Sequence, residues 1–183
     1  MQTFKLHPES AKMFQVNAEV EKAKQVAMRL LGGRAYSRKE ILGKLRGRRF
    51  KRQAIEETMA TLERLGLVDD RDFARRYVED RMRLRPMGRS LLALELKRRG
   101  IATDVVDEVL DDALDGVDLA AVALDLLNRR QARYRGVERE KAFSRMFGFL
   151  GRRGFEGGLV RDVVTQAWRA WEAVEGSDDL LDE

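Results

Sequence analysis

Three basic clusters carry the only concentrated chemistry in this chain. Leu45-Arg46-Gly47-Arg48-Arg49-Phe50, Leu96-Lys97-Arg98-Arg99-Gly100-Ile101 and Leu150-Gly151-Arg152-Arg153-Gly154-Phe155 each join a leucine, a run of bases and an apolar residue five places on. Guanidinium and ammonium groups at that density suit carboxylates on a protein surface or phosphates. A plainer account also fits, because bases in the last turn of a helix complement its dipole by roughly 0.3–1 kcal/mol each. Recurrence in one slot favours contact, since a repeat array can line equivalent residues up as one stripe. The candidates are therefore Arg46, Arg48, Arg49, Lys97, Arg98, Arg99, Arg152 and Arg153.

Arg81, Arg83, Arg85 and Arg89 flank Pro86 and form a second candidate group, although a charge run also suits a solvated face. Tyr36, Tyr77 and Tyr134 lie near bases; the phase of Tyr77 with Phe73 and Val78 assigns it to a core, which leaves Tyr134 to test for stacking on nucleic-acid bases. Catalytic sets are missing. Asp69-Asp70 reads as a helix cap and Asp111-Asp112 as a polar helix face, there is no phosphate loop, and no nucleophile has a plausible base. With no cysteine and one histidine, His7, no metal site, cofactor or enzyme activity is expected.

The elements that must position the bases repeat with them. The cassette leucines stand at 45, 96 and 150, offsets of 51 and 54 residues, and a period of this size marks an array of supersecondary units. Five, eight and nine places after each closing apolar residue come Ile55, Thr58 and Met59, then Val106, Val109 and Leu110, then Val160, Val163 and Val164. That is the spacing of one helical face. Ile41, Leu92 and Met146 recur four places before the leucines. Each unit thus predicts three helices, the second ending in the cassette. Ser37 with Glu40 forms a capping box, Asp69-Asp70 and Thr103 read as N-caps, and Gly66 and Gly100 as helix stops. Trp168 and Trp171, three apart on the last helix, read as core.

The fold expected is all-α, with three tandem three-helix repeats. Its parts are a loose N-terminal arm over 1–18, in which Pro8 interrupts any helix, repeats over 19–68, 69–114 and 115–175, and an acidic tail over 176–183. Hydrophobic residues at 44% suffice for a core, while a charged fraction of 37% exceeds the ordinary quarter and suits thin helical modules. The net charge of +5 is modest but segregated. Between Arg29 and Lys51 the only acid is Glu40, whereas Asp104 to Asp125 holds eight acids and no base. Such segregation points to a polyanion or an acidic protein surface as partner. There is no apolar run of membrane length and no signal-peptide core, so a cytoplasmic monomer is expected.

Arg38-Lys39-Glu40-Ile41-Leu42-Gly43-Lys44-Leu45 after Ser37, the join Leu65-Gly66-Leu67-Val68-Asp69-Asp70-Arg71-Asp72-Phe73-Ala74, and Gly88 followed by Glu95-Leu96-Lys97-Arg98-Arg99-Gly100-Ile101 together resemble the RecX family of bacterial recombination regulators. The match covers Val20 to Leu114 well and the third unit more loosely. The resemblance implies a curved array of three-helix repeats and a non-enzymatic modulator of RecA. Such a protein binds the RecA filament on single-stranded DNA, lies in its groove, and damps ATP hydrolysis, strand exchange and co-protease activity, and with them recombination, DNA repair and the SOS response. One departure is Arg49, where the other cassettes have glycine, so the first cassette helix is expected to end differently. The alternative is a basic helical module that acts by occupying single- or double-stranded DNA.

Overall fold

The structure is a computed structural model that describes the backbone of residues 8–178 and the side chains of residues 17–173. Among these residues there are nine α-helices, one short 3-10 turn and no strand. In order they are α1 (Pro8–Leu31), α2 (Arg38–Gly47), α3 (Arg52–Arg64), α4 (Asp70–Leu84), α5 (Arg89–Arg98), α6 (Thr103–Leu114), α7 (Leu119–Asn128), the 3-10 turn Gln131–Arg133, α8 (Arg139–Arg152) and α9 (Gly157–Asp178). Contacts group them into two units, Met1–Arg76 with Leu96–Val106, and Tyr77–Glu95 with Asp107–Glu183.

The apolar periodicity is also the burial pattern. All nine positions on the third-helix faces, Ile55 to Val164 as named above, are buried, and so are Ile41, Leu92 and Met146 and the cassette leucines Leu45, Leu96 and Leu150. In the first unit, Ala23 and Ala27 of α1 pack with Ile41, Leu45, Ile55, Met59, Leu62 and Val68. In the second unit, Ala123 and Leu127 of α7 join Met146 and Leu150 of α8 and Val160, Val164 and Trp171 of α9. Burial at roughly 1.5–3 kcal/mol for a large aliphatic side chain drives both.

Two expectations at the ends are corrected. Pro8 does not interrupt a helix but begins α1, since the first helical position has no use for the missing N–H. The last helix runs to Asp178, past the expected start of the tail at Gly176, and residues 1–7 and 179–183 lie outside the described residues. Asp118, not anticipated as a cap, accepts from the N–H groups of Ala120 and Ala121 and starts α7.

The acidic pair at 69–70 divides its labour. Asp69 caps its own helix by accepting from the Arg71 and Asp72 amides at 2.8 and 3.1 Å. Asp70 instead accepts from the Arg38 amide at 2.7 Å, at the start of α2. Burial pushes the Asp70 carboxyl above the usual aspartate range, against the lowering effect of that hydrogen bond. The fold therefore holds the Asp70 proton more tightly than the unfolded chain does. Its contribution to stability falls as pH rises from the ordinary aspartate value through the raised one. Asp70→Asn, which keeps an acceptor and discards the charge, should lack that slope, so the difference between the two pH–stability curves should fall over the same pH range. Asp70→Ala should in addition lose about 1 kcal/mol from the hydrogen bond to the Arg38 amide. Parallel curves for wild type and Asp70→Asn would contradict the assignment.

All three cassettes end in a left-handed turn, but the first ends differently in one bond: Ile101 and Phe155 donate back to the Leu96 and Leu150 carbonyls at 3.2 and 3.3 Å, whereas Phe50 makes no such bond to Leu45. Gly100 and Gly154 take φ of 88° and 78°, and Arg49, in the equivalent place, takes φ of 61°. Each donates its N–H three residues back, Arg49 to Arg46, Gly100 to Lys97 and Gly154 to Gly151. A left-handed conformation costs a residue with a Cβ roughly 1–2 kcal/mol. Arg49→Gly should accordingly raise the urea midpoint by an amount worth about 1 kcal/mol; a lower midpoint would show that the arginine side chain holds the turn.

Candidate interaction surface

The second and third cassette turns are seated on helix starts, and this decides which of their bases remain exposed. In the first unit the end of α5 meets the start of α2. Ser37, fully buried, donates its hydroxyl to the Arg99 carbonyl at 2.7 Å while accepting from the Glu40 amide, and Lys39 Nζ donates to the Arg98 carbonyl at 3.1 Å. Arg99 Nη1 closes the joint on Glu40 Oε1 at 2.7 Å. In the second unit the end of α8 meets the start of α5 in the same manner. The Gly88 amide donates to the Arg153 carbonyl at 2.8 Å, the Ser90 amide to the Gly154 carbonyl at 3.3 Å, and Arg153 Nη1 to the Pro86 carbonyl at 2.9 Å.

Arg99 and Arg153 are thus the same residue of the repeat doing the same task, and both are half-buried. Burial, and then the charges of Arg85 and Arg130, push the Arg153 guanidinium below its ordinary value. Arg48, their counterpart in the first cassette, is exposed, with only a bond to the Lys44 carbonyl at 3.3 Å. The series ends at α8. Ser37 and Gly88 stand 51 apart, and 54 beyond Gly88 is Ala142, which is fully buried inside α8 rather than at its start.

The second candidate group is mostly engaged. Arg81 lies 4.7 Å from the Tyr77 ring centroid and pairs with Glu95, to which the Tyr77 hydroxyl also donates. Tyr77 is half-buried rather than core. Arg83 pairs with Asp80 at 2.8 Å and Arg89 with Asp111 at 2.7 Å. Arg85 is exposed. What remains exposed without an acidic partner among the described residues is Arg46, Arg48 and Arg49 on the first cassette, Lys97 and Arg98 on the second, Arg152 on the third, and Arg85.

Tyr134 is withdrawn from base stacking by its surroundings. It is 5% exposed and its ring stacks on Trp171 at 5.9 Å with the planes 13° apart. Trp171, as expected, is core, and its indole N–H reaches Asn128 Oδ1 at 3.0 Å; Trp168 is half-buried, edge-on to Phe143. Sequence spacing missed a cleft in the second unit where Arg130, Arg133, Arg145 and Arg152 gather around Phe149. Its available signal was the seven-residue step from Arg145 to Arg152, with Gly148 on the same helical face between them. Among the described residues no group of side chains could hold a metal ion, and no helix is long and apolar enough to cross a membrane.

Comparison with known proteins agrees with the repeat. Family models described as the first, second and third three-helix domains of RecX match residues 23–62, 69–110 and 118–164. Regulatory protein RecX of Chlorobium phaeobacteroides is 38% identical over 150 residues, covering 82% of this chain and 96% of that protein. Its namesake in Streptomyces lividans is 34% identical over 164 residues, covering 90% and 86%. The crystal structure of RecX from Lactobacillus salivarius superposes with a TM-score of 0.73 at 21% identity, over 82% of this chain and 97% of that one. A second crystal structure, of regulatory protein RecX, gives 0.77 at 20% identity over 89% and 80%. At these identities the structures establish the shared fold.

Proposed function

The chain belongs to the RecX family of regulatory proteins, built of three three-helix domains in tandem, and from that premise we propose that it binds the RecA filament on single-stranded DNA and inhibits it. ATP hydrolysis, strand exchange and co-protease activity would all be damped, because each requires filament protomers to rearrange. The observation that carries the proposal is the division within the second cassette. Arg99 is spent on an internal ion pair, yet its neighbours Lys97 and Arg98 are exposed and have no acidic partner among the described residues. Cations left uncompensated beside a fixed turn are held ready for an acidic surface, and a repeat offers such groups to successive protomers.

The charge of the chain supports a polyanionic partner, and nothing in the described residues supports catalysis as the means of regulation. The test is the single-stranded-DNA-dependent ATPase of the cognate RecA, titrated with this protein well below one copy per protomer. Inhibition that persists when more DNA is added places the action on the filament. Inhibition relieved in proportion to added DNA would assign it to occupation of DNA instead.

A further inference from the structure

The cleft around Phe149 gathers four arginines. Arg130 stands at the end of α7, Arg133 in the 3-10 turn, and Arg145 and Arg152 on one face of α8; together they line a concavity of about 480 Å³ with Tyr134, Ser144, Gly148 and Phe149. No carboxylate lines it, and none of the four arginines has an ion pair among the described residues. Other bases of the molecule are matched with acids, as at Arg81, Arg83, Arg89, Arg99 and Arg129, and the unpaired ones of the first two cassettes do not line this concavity. The field here is positive enough that Arg130 and Arg85 help lower the affinity of nearby Arg153 for its proton.

Gly148 leaves room for one of these arginines. A glycine within a helix costs about 1 kcal/mol relative to alanine. The space it vacates is used, since a Cβ there would lie 3.0 Å from Arg152 Nη1. Glycine lets the Arg152 guanidinium lie across the helix surface and into the cleft. The aromatic face is closed to other uses, because Arg130 and Arg153 stand 4.2 and 5.0 Å from the Phe149 centroid.

We propose that this cleft of the third domain binds the phosphodiester backbone of a single nucleic-acid strand, independently of base sequence. Several guanidinium forks converging in a concavity match successive phosphates better than one carboxylate, and fork geometry suits phosphate oxygens. With Phe149 covered and Tyr134 buried, no aromatic face is available to stack a base, so recognition rests on charge. The site is separate from the exposed bases of the second cassette, on which the proposal of filament docking rests.

The test is fluorescence anisotropy of a labelled oligothymidylate with the full-length protein, with Arg133→Glu/Arg145→Glu, and with Lys97→Glu/Arg98→Glu as control. The cleft variant should weaken binding at least tenfold and lower the slope of log affinity against log salt by about 1–2, near 0.7 for each phosphate of a single strand that is no longer neutralised. The cassette variant should bind within about twofold of the parent. An oligonucleotide of uncharged methylphosphonate linkages should not bind, and replacing thymidines by cytidines should change nothing beyond twofold. If the reversed variant loses its melting transition, Arg133→Ala/Arg145→Ala carries the same test with a threefold loss. Unchanged affinity in the cleft variant, equal losses in both variants, or displacement of the strand by a polyglutamate peptide or by ATP at equal charge overturns the proposal. Loss of RecA inhibition in the cassette variant with oligonucleotide binding intact would leave both proposals standing.

Discussion

Gly88→Ala is expected to unfold much of the second unit, at a cost on the order of 3–5 kcal/mol, and thermal melting is the measurement. A Cβ on residue 88 would lie 2.1 Å from the Gly154 carbonyl oxygen and 2.5 Å from the Phe155 amide nitrogen. All these atoms are backbone, so no rotamer change relieves the overlap. The turn can retreat only by giving up the Gly88-to-Arg153 and Ser90-to-Gly154 hydrogen bonds that seat it. Gly154→Ala meets the same joint from the other side, with Leu91 nitrogen at 2.3 Å, and adds the strain of its positive φ. Gly43→Ala is the control. Its site is open in the interior of α2, and the change should stabilise by about 0.5–1 kcal/mol. A Gly88→Ala protein melting within a few degrees of the parent would mean that the seat is dispensable.

Reversing charge in the second cassette should separate surface from scaffold. Lys97→Glu/Arg98→Glu is expected to raise the concentration needed for half-inhibition of the RecA ATPase by more than tenfold while the melting temperature moves little, because both side chains are exposed and have no ion pair among the described residues. Arg99→Glu, one residue on, should do the opposite. It places a second carboxylate against Glu40, breaks a charge-assisted hydrogen bond of 2.7 Å, and should destabilise by about 2 kcal/mol before any effect on function can be read. The pair of variants therefore tests one idea with two instruments, an inhibition curve and a melt. Inhibition undisturbed in the double variant would remove this cassette from the contact surface.

The amino-acid pattern announced the helices and their cores because a helix face repeats at short range, and burial at Ile55, Val106 and Val160 follows from spacing alone. The roles of the bases were less legible. Arg98 and Arg99 are adjacent and chemically alike, and what distinguishes them is Glu40, 59 positions before Arg99. A clue did exist, for Ser37 and Gly88 are separated by the same 51 residues as the cassette leucines. The turn at Arg49 was legible only in part: it lacks the bond back to the cassette leucine that the other two make, yet it keeps their positive φ. Glycine is favoured where φ is positive, but the hydrogen-bonded turn dictates the conformation and an exposed arginine accepts the strain. Asp70 shows the limit most simply, since nothing local indicates that its carboxylate serves the helix start at Arg38 instead of its own.

The buried Ala142, standing where Ser37 and Gly88 stand in their own repeats, has a consequence for growth. The second and third cassette turns each take the beginning of an earlier helix as a seat, and α8 extends past the corresponding place and fills it with its own chain. A fourth module grafted after α9 would find no socket, and neither would the first cassette of another copy. The number of modules is therefore written into the length of one helix. Lengthening the protein by duplication would first require shortening α8 by its opening turn.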